Sequence, residues 1–270
     1  ARASGREAAD RAIAIDGKNS EALYIKSVLT DPHDWLGRES LLKRAVAAKR
    51  LDCGCEHHQY GVMLADVGRT TDAIDQLRQA NDMLALYVYT PLSLADVLIA
   101  AGKLDEAKPR FDAAIKLAPD AEFARRIAVS RAIAIGDIKP LLDPKSPITA
   151  ELRGALLKGY RAVALGNAAA KADAIQVLVA LPQDQQKDGV ALLLADLGAN
   201  HAAFQVAARL ATNGYFGPSL FWNLRMRGIL TDPEFPAVAG QLGLINYWKA
   251  SHTRPDVCNE KPAPPFCRII

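Results

Sequence analysis

The chain lacks any run of eighteen apolar residues, so no segment of this sequence reads as a transmembrane helix. Aromatic residues make up only 6% of the 270 residues, while half of all residues are hydrophobic. Alanine and leucine supply most of that apolar content, which favours closely packed helices over a core of large rings. Period-2 alternation of useful length is missing, which argues against strands. Charge of one sign is missing too: the net charge is +3, with Lys and Arg interleaved among Asp and Glu. The densest basic spot, Arg125, Arg126 and Arg131, reads as a solvated helix face rather than a nucleic-acid footprint. There is no G-x-S-x-G turn and no glycine-rich phosphate loop. The lone acids fall on helix faces, so no catalytic residue is assigned, and an enzyme would need an acid–base pair in a deep pocket.

What is present is a period. Gly68 to Gly102, Ala73 to Ala107, Leu77 to Phe111 and Ala80 to Ala114 are each 34 residues apart. Four coincident matches mark a repeated helix–turn–helix unit. The glycine lets the chain turn between helices A and B, the alanines allow close approach, and Leu77 and Phe111 fill the space between pairs. Ala12 precedes Ala114 by 102 residues, three periods, so "REAADRAIAIDGKNSEA" reads as a helix B without its helix A. The opening reads as the middle of an amphipathic helix, and the chain is expected to be a fragment or a processed product. "EALYIKSVL" and "DWLGRESLLKRAVAAK" read as a further pair, with Ala45 one residue out of register. Downstream the period decays: Gly136, Gly166 and Gly198 recur 30 and 32 residues apart, each ending an apolar helical run. The helices around them are expected to pack as the earlier ones do.

These units resemble the tetratricopeptide repeat. The family's small helix-A residue falls on Gly61 and Ala95, its large one on Leu64 and Leu98, and its helix-B proline on Pro119. The corresponding position one repeat earlier is Ala85, a departure from the pattern. The resemblance implies an all-α fold: a right-handed solenoid of about twelve to fourteen helices in antiparallel pairs, with the A helices lining a concave groove. The family's groove positions carry over to Cys55, His58, Val62 and Ala65 in one repeat. In the next they are Tyr89, Leu92, Asp96 and Ile99. That largely apolar set suits an extended or helical peptide, and suits phosphate or nucleic acid poorly.

The texture changes at Tyr215, so residues 1–214 are expected to form the repeats and 215–270 a cap over the exposed end. Short helices, prolines and most of the late aromatics fall in this second part, and burial is expected for Trp222, Tyr247 and Trp248. Four cysteines, Cys53, Cys55, Cys258 and Cys267, fit an oxidising compartment, with free thiols in a reducing cytosol as the alternative. Cys258 and Cys267 lie nine residues apart in a proline-rich tail and are the expected disulfide; a Cys53–Cys55 bridge needs a very small, strained ring. "CGCEHH" also offers soft metal donors in Cys53, Cys55, His57 and His58. The two histidines diverge by about 100° on a helix and the spacing is unlike that of zinc sites, so no metal and no cofactor is assigned.

The ending is similar to the carboxy-terminal segment of certain bacterial tetratricopeptide proteins. Asp232, Pro233, Phe235, Gly243, Leu244, Tyr247, Trp248, Pro255, Asp256 and Cys258 carry the likeness. Such proteins often place a winged-helix or cyclase module and one membrane span before the repeats. The likeness implies a periplasmic or other extracytoplasmic module, attached to a membrane only through a missing amino-terminal region. The expected function is a non-enzymatic protein- or peptide-binding module, the far-side sensor part of a membrane-spanning transcriptional regulator; the alternative is a small-molecule or soft-metal sensor using the same groove, and an enzyme is the disfavoured third reading.

Overall fold

The computed structural model describes residues 2–48, 54–214 and 217–270. It is all-helical: 74% of the chain is helix, and no strand occurs among the described residues. In chain order the α-helices are α1 (Arg2–Ile15), α2 (Ser20–Leu29), α3 (Trp35–Ala47), α4 (Cys55–Asp66), α5 (Thr70–Met83), α6 (Tyr89–Ala100) and α7 (Leu104–Leu117). They continue as α8 (Ala121–Ile135), α9 (Lys139–Leu142), α10 (Ala150–Leu165), α11 (Ala168–Ala180), α12 (Asp188–Asp196) and α13 (Asn200–Thr212). Two 3₁₀ helices, Pro218–Trp222 and Leu224–Thr231, lead into α14 (Phe235–Gln241) and α15 (Leu244–Ser251).

The 34-residue period has a direct structural meaning. Ala73, Ala107, Leu77, Phe111, Ala80 and Ala114 are all fully buried, between α4 and α5 or between α6 and α7 and their neighbours. Burying Leu77 and Phe111 stabilises each repeat by about 1.5–3 kcal/mol per side chain. The turn after α4 is a Schellman closure: Gly68 has φ +82°, and Arg69 N donates to Leu64 O at 2.9 Å. Lys103 N to Leu98 O at 2.8 Å and Ala199 N to Leu194 O at 2.9 Å repeat it after α6 and α12. A glycine at position 61 is required by approach, because a Cβ there would lie 2.6 Å from Leu77 Cγ.

Regularity fails after α8. The expected partner of α8 is reduced to the four residues of α9. Pro144 and Pro147 follow; they lack the amide protons a longer helix would need. The helices on either side of this stub therefore do not all pack as the earlier pairs do. α8 and α10 instead each contact α12.

The carboxy-terminal segment folds back a long way. Sequence reasoning placed it over the last helices; it contacts α13, and it also lies against α3, α4 and α6. Two of its indoles satisfy carbonyls left over at the end of α4: Trp222 Nε1 donates to Asp66 O (3.0 Å) and Trp248 Nε1 to Val67 O (2.9 Å). Trp35 Nε1 reciprocates from α3 to Leu242 O (2.7 Å). Asp256 caps α5 from 185 residues away, its Oδ2 accepting from Thr71 N and Oγ1 at 2.7 Å each. Trp222, Tyr247 and Trp248 are buried as expected, each 1% exposed.

The expected disulfide between Cys258 and Cys267 is present, with Cα atoms 5.6 Å apart. The disulfide is not the tail's sole anchor. Phe266 is buried, with its ring 4.7 Å from Phe235 and 5.7 Å from Trp248.

Candidate functional site

A hollow of about 850 Å³ opens in the molecule, and its walls come mainly from every second helix between α4 and α12. Val62, Ala65 and Asp66 reach it from α4, and Leu92, Asp96 and Ile99 from α6. Val129 and Ile133 reach it from α8, Leu152 and Leu156 from α10, and Asp188 and Leu192 from α12. The 3.6-residue period explains the choice: each helix turns its inner face to the hollow at positions three and four apart and its outer face to its partner. The irregular loop Pro147–Thr149 and the first cap residues, Gly217 to Asn223, close the remaining sides. Gly217 lies so close to Asp66 that a Cβ would meet the carboxylate at 2.0 Å.

Five of the eight groove positions carried over from the resemblance therefore meet in one place: Val62, Ala65, Leu92, Asp96 and Ile99 line the hollow. The other three do not line it. His58 and Tyr89 belong instead to an aromatic row at the beginnings of α4, α6 and α8. Its ring centroids follow one another at 5.8 Å (His58–Tyr87), 5.4 Å (Tyr87–Tyr89) and 5.9 Å (Tyr89–Phe123). His58 also meets Ser93 Oγ at 3.2 Å, and burial lowers its basicity against a backbone hydrogen bond at Tyr89. Cys55, the first residue of α4, is disulfide-bonded. The part of the "CGCEHH" reading that rests on Cys53 lies outside the described residues. His57 turns away from His58, pairing with Gln76 Oε1 at 2.8 Å. Among the described residues no three His, Cys, Asp or Glu side chains are grouped to hold a metal ion.

Two charged features escaped the sequence reading. The first is the acidity of the hollow. Asp66, Asp96, Asp184 and Asp188 line it against only two cations, Arg126 and Lys187. Arg126 is engaged with Glu122 at 2.6 Å, one of the ion pairs that solvate the basic spot of α8. Asp96 is solvent-accessible and lies on the wall of the hollow. Burial and the facing Asp188 push its pKa up to about 7. Asp188 is raised by burial as well, opposed by the amides of Gly189 and Asp188 and by Lys187. Burial lifts Asp66 to about 6 against Arg38 and hydrogen bonds from Ser219. The signal was available in part, since Asp96 fell in the groove set, but Asp188 belongs to a helix 92 residues later.

The second is a buried knot outside the hollow. Glu39 accepts from Arg69 (2.6 Å), Tyr60 (3.1 Å) and Tyr247 (3.1 Å). Burial pushes its carboxyl up, but Lys43 and Arg69 outweigh that and hold it below the ordinary range. The knot ties α3, α4 and α15 to the α4–α5 turn, and its role is structural.

No known protein-family model matches the chain, and among the curated proteins none is recognisably related to it.

Proposed function

We propose that the chain is a non-enzymatic binding module of the tetratricopeptide kind, a right-handed solenoid of helix pairs whose inner face takes a segment of a partner protein. One observation carries the reading: five of the eight groove positions derived from the repeat converge on a single hollow walled by alternate helices. That alternation is what a curved stack of helix pairs produces, because one helix of each pair faces inward. A volume of about 850 Å³ with apolar walls and a few polar points is in the range of sites that hold a ligand. The Cys258–Cys267 bridge supports an extracytoplasmic location for the module.

A second reading has its own observation. The cap residues Ser219, Leu220 and Trp222 close one side of the hollow, which suits a small molecule better than a long peptide passing through. Two carboxyls in a hollow would also serve proton-transfer chemistry. The binding reading is preferred because no side-chain hydrogen-bond donor among the described residues sets either Asp96 or Asp188 to such a task.

The test is Leu92→Glu. Leu92 is half-buried on the wall of the hollow, so the new charge should weaken binding of a selected peptide or small ligand at least tenfold while the protein stays folded. A peptide and small-molecule library screened against wild type and variant in parallel decides it. Ligands that bind both proteins equally well would show that the hollow is not the site.

A further inference from the structure

The volume and apolar walls of the hollow indicate that something of limited size fits there; its charge indicates what. Resting on the reading of the hollow as the binding site, we propose that its occupant presents an organic cation. An ammonium or guanidinium group is set against Asp96 and Asp188, and an apolar stem lies along Leu92, Val129, Ile133 and Leu192.

The argument is one of uncompensated charge. Asp96 and Asp188 line the same hollow, and the charge of Asp188 disfavours ionisation of Asp96. In a site surrounded by protein such a pair is costly unless a counter-charge is supplied. The protein's own cations offset only part of the charge of the four lining aspartates. Arg126 is paired with Glu122, Arg38 acts on Asp66, and Lys187 moderates Asp188 from the next position in the chain. The remaining lining acid, Asp184, adds to the negative potential. A neutral ligand would leave the carboxyls as they are, and an anion would worsen the repulsion. A cation replaces repulsion with two attractions in a concave site that screens less than open water. It should also displace protons from the pair, so affinity rises from pH 6 to pH 8 while an alkylamine, with a pKa of about 10 or more, stays charged. The same chemistry comes from two sources: a free amine, or a lysine or arginine side chain at the tip of a peptide loop.

The experiment is calorimetric titration of the intact chain with three probes of matched length: hexylammonium, hexanol and hexanoate. Hexylammonium should bind at least tenfold more tightly than either of the others. Its affinity should rise several-fold from pH 6 to pH 8 and fall about tenfold in Asp96→Asn. Asp188→Asn, melted alongside as a second folded variant, should show the same loss. The peptide source is read with acetyl-Ala-Lys-Ala-amide against its Nε-acetylated form: preference for the free lysine assigns the cation to a peptide, and binding of hexylammonium alone assigns it to a free amine. Hexanol binding as tightly as hexylammonium would overturn the charge assignment and leave the binding reading standing. If no cationic probe binds but Leu92→Glu still abolishes binding of a screened neutral ligand, the cation proposal fails alone. If no ligand of either screen is sensitive to Leu92→Glu, the hollow itself fails as the site.

Discussion

Two regions of the molecule are held together by different physics. In α4 to α7, each contact is made by small residues at fixed spacing: Gly61 under Leu77, and Ala73, Ala80, Ala107 and Ala114 wherever helices come close. Their hydrogen bonds are local, and the Schellman turns at Gly68 and Gly102 close within six residues. In the segment from Pro218 to Arg268 the anchors are large rings and distant polar contacts. Phe221, Trp222, Phe235, Trp248 and Phe266 form one aromatic cluster, and its indoles reach carbonyls 156 and 181 residues away. A repeat can spread its stability over many nearest-neighbour contacts. An irregular segment with few helical hydrogen bonds needs a few strong ones, and here it also finishes the helices it covers.

That contrast can be broken most sharply at Trp222. Its side chain joins the aromatic cluster, donates to Asp66 O and forms part of the hollow's wall. Trp222→Ala should destabilise the protein by about 3–5 kcal/mol. The urea midpoint should fall accordingly, and the cap should become sensitive to protease before α4–α7 do. A small, uniform loss across the chain would show that the cap is not the separately anchored part.

The disulfide comes next. Replacing both Cys258 and Cys267 by serine opens a loop of about ten residues, and the chain-entropy model gives a loss of about 2–3 kcal/mol. Phe266 should keep the tail partly docked, so the double variant should remain folded at room temperature. Loss of the whole near-ultraviolet circular dichroism signal would mean the clasp, not the ring, holds the tail.

Within the regular region the sensitive event is overpacking. Ala107 is fully buried, and Ala107→Leu should cost about 1–3 kcal/mol. An unchanged denaturation midpoint would tell against the assigned helix–helix contact.

The smallest effect is electrostatic and depends on pH. Asp96 has its folded pKa raised to about 7 from an ordinary 3.8, so the folded state holds its proton more tightly than the unfolded chain does. Stability is therefore lost as pH rises from about 4 through 7. Asp96→Asn should abolish that loss, leaving the variant more stable than wild type at pH 8 and little changed near pH 4. Because the carboxyl touches the water of the hollow, the gain is modest. Melting temperatures of both proteins across that range would check it; parallel curves would show that Asp96 does not titrate as described.

Much of this was legible in the order of residues. The coincidences at 34 residues located the buried alanines, Leu77 and Phe111, and the glycine turns. The cysteine spacing in the tail located its bridge. The legibility ended where proline reduced α9 to a single turn, because nothing local says where a chain goes once its repeat is interrupted. It ended also at His58 and Tyr89, which share the groove register with Leu92 yet join an aromatic row rather than the hollow.

The sequence by itself determined the helices, their turns and the positions at which two of them can touch, since these depend on residues within one or two repeats of each other. Only the tertiary structure decided that the tail caps α4 and α5, and that Asp66, Asp96 and Asp188 face one space. Those outcomes depend on packing among many helices that are distant in the chain. That packing, invisible in any one helix, brings Asp96 and Asp188, 92 positions apart, to line the same hollow.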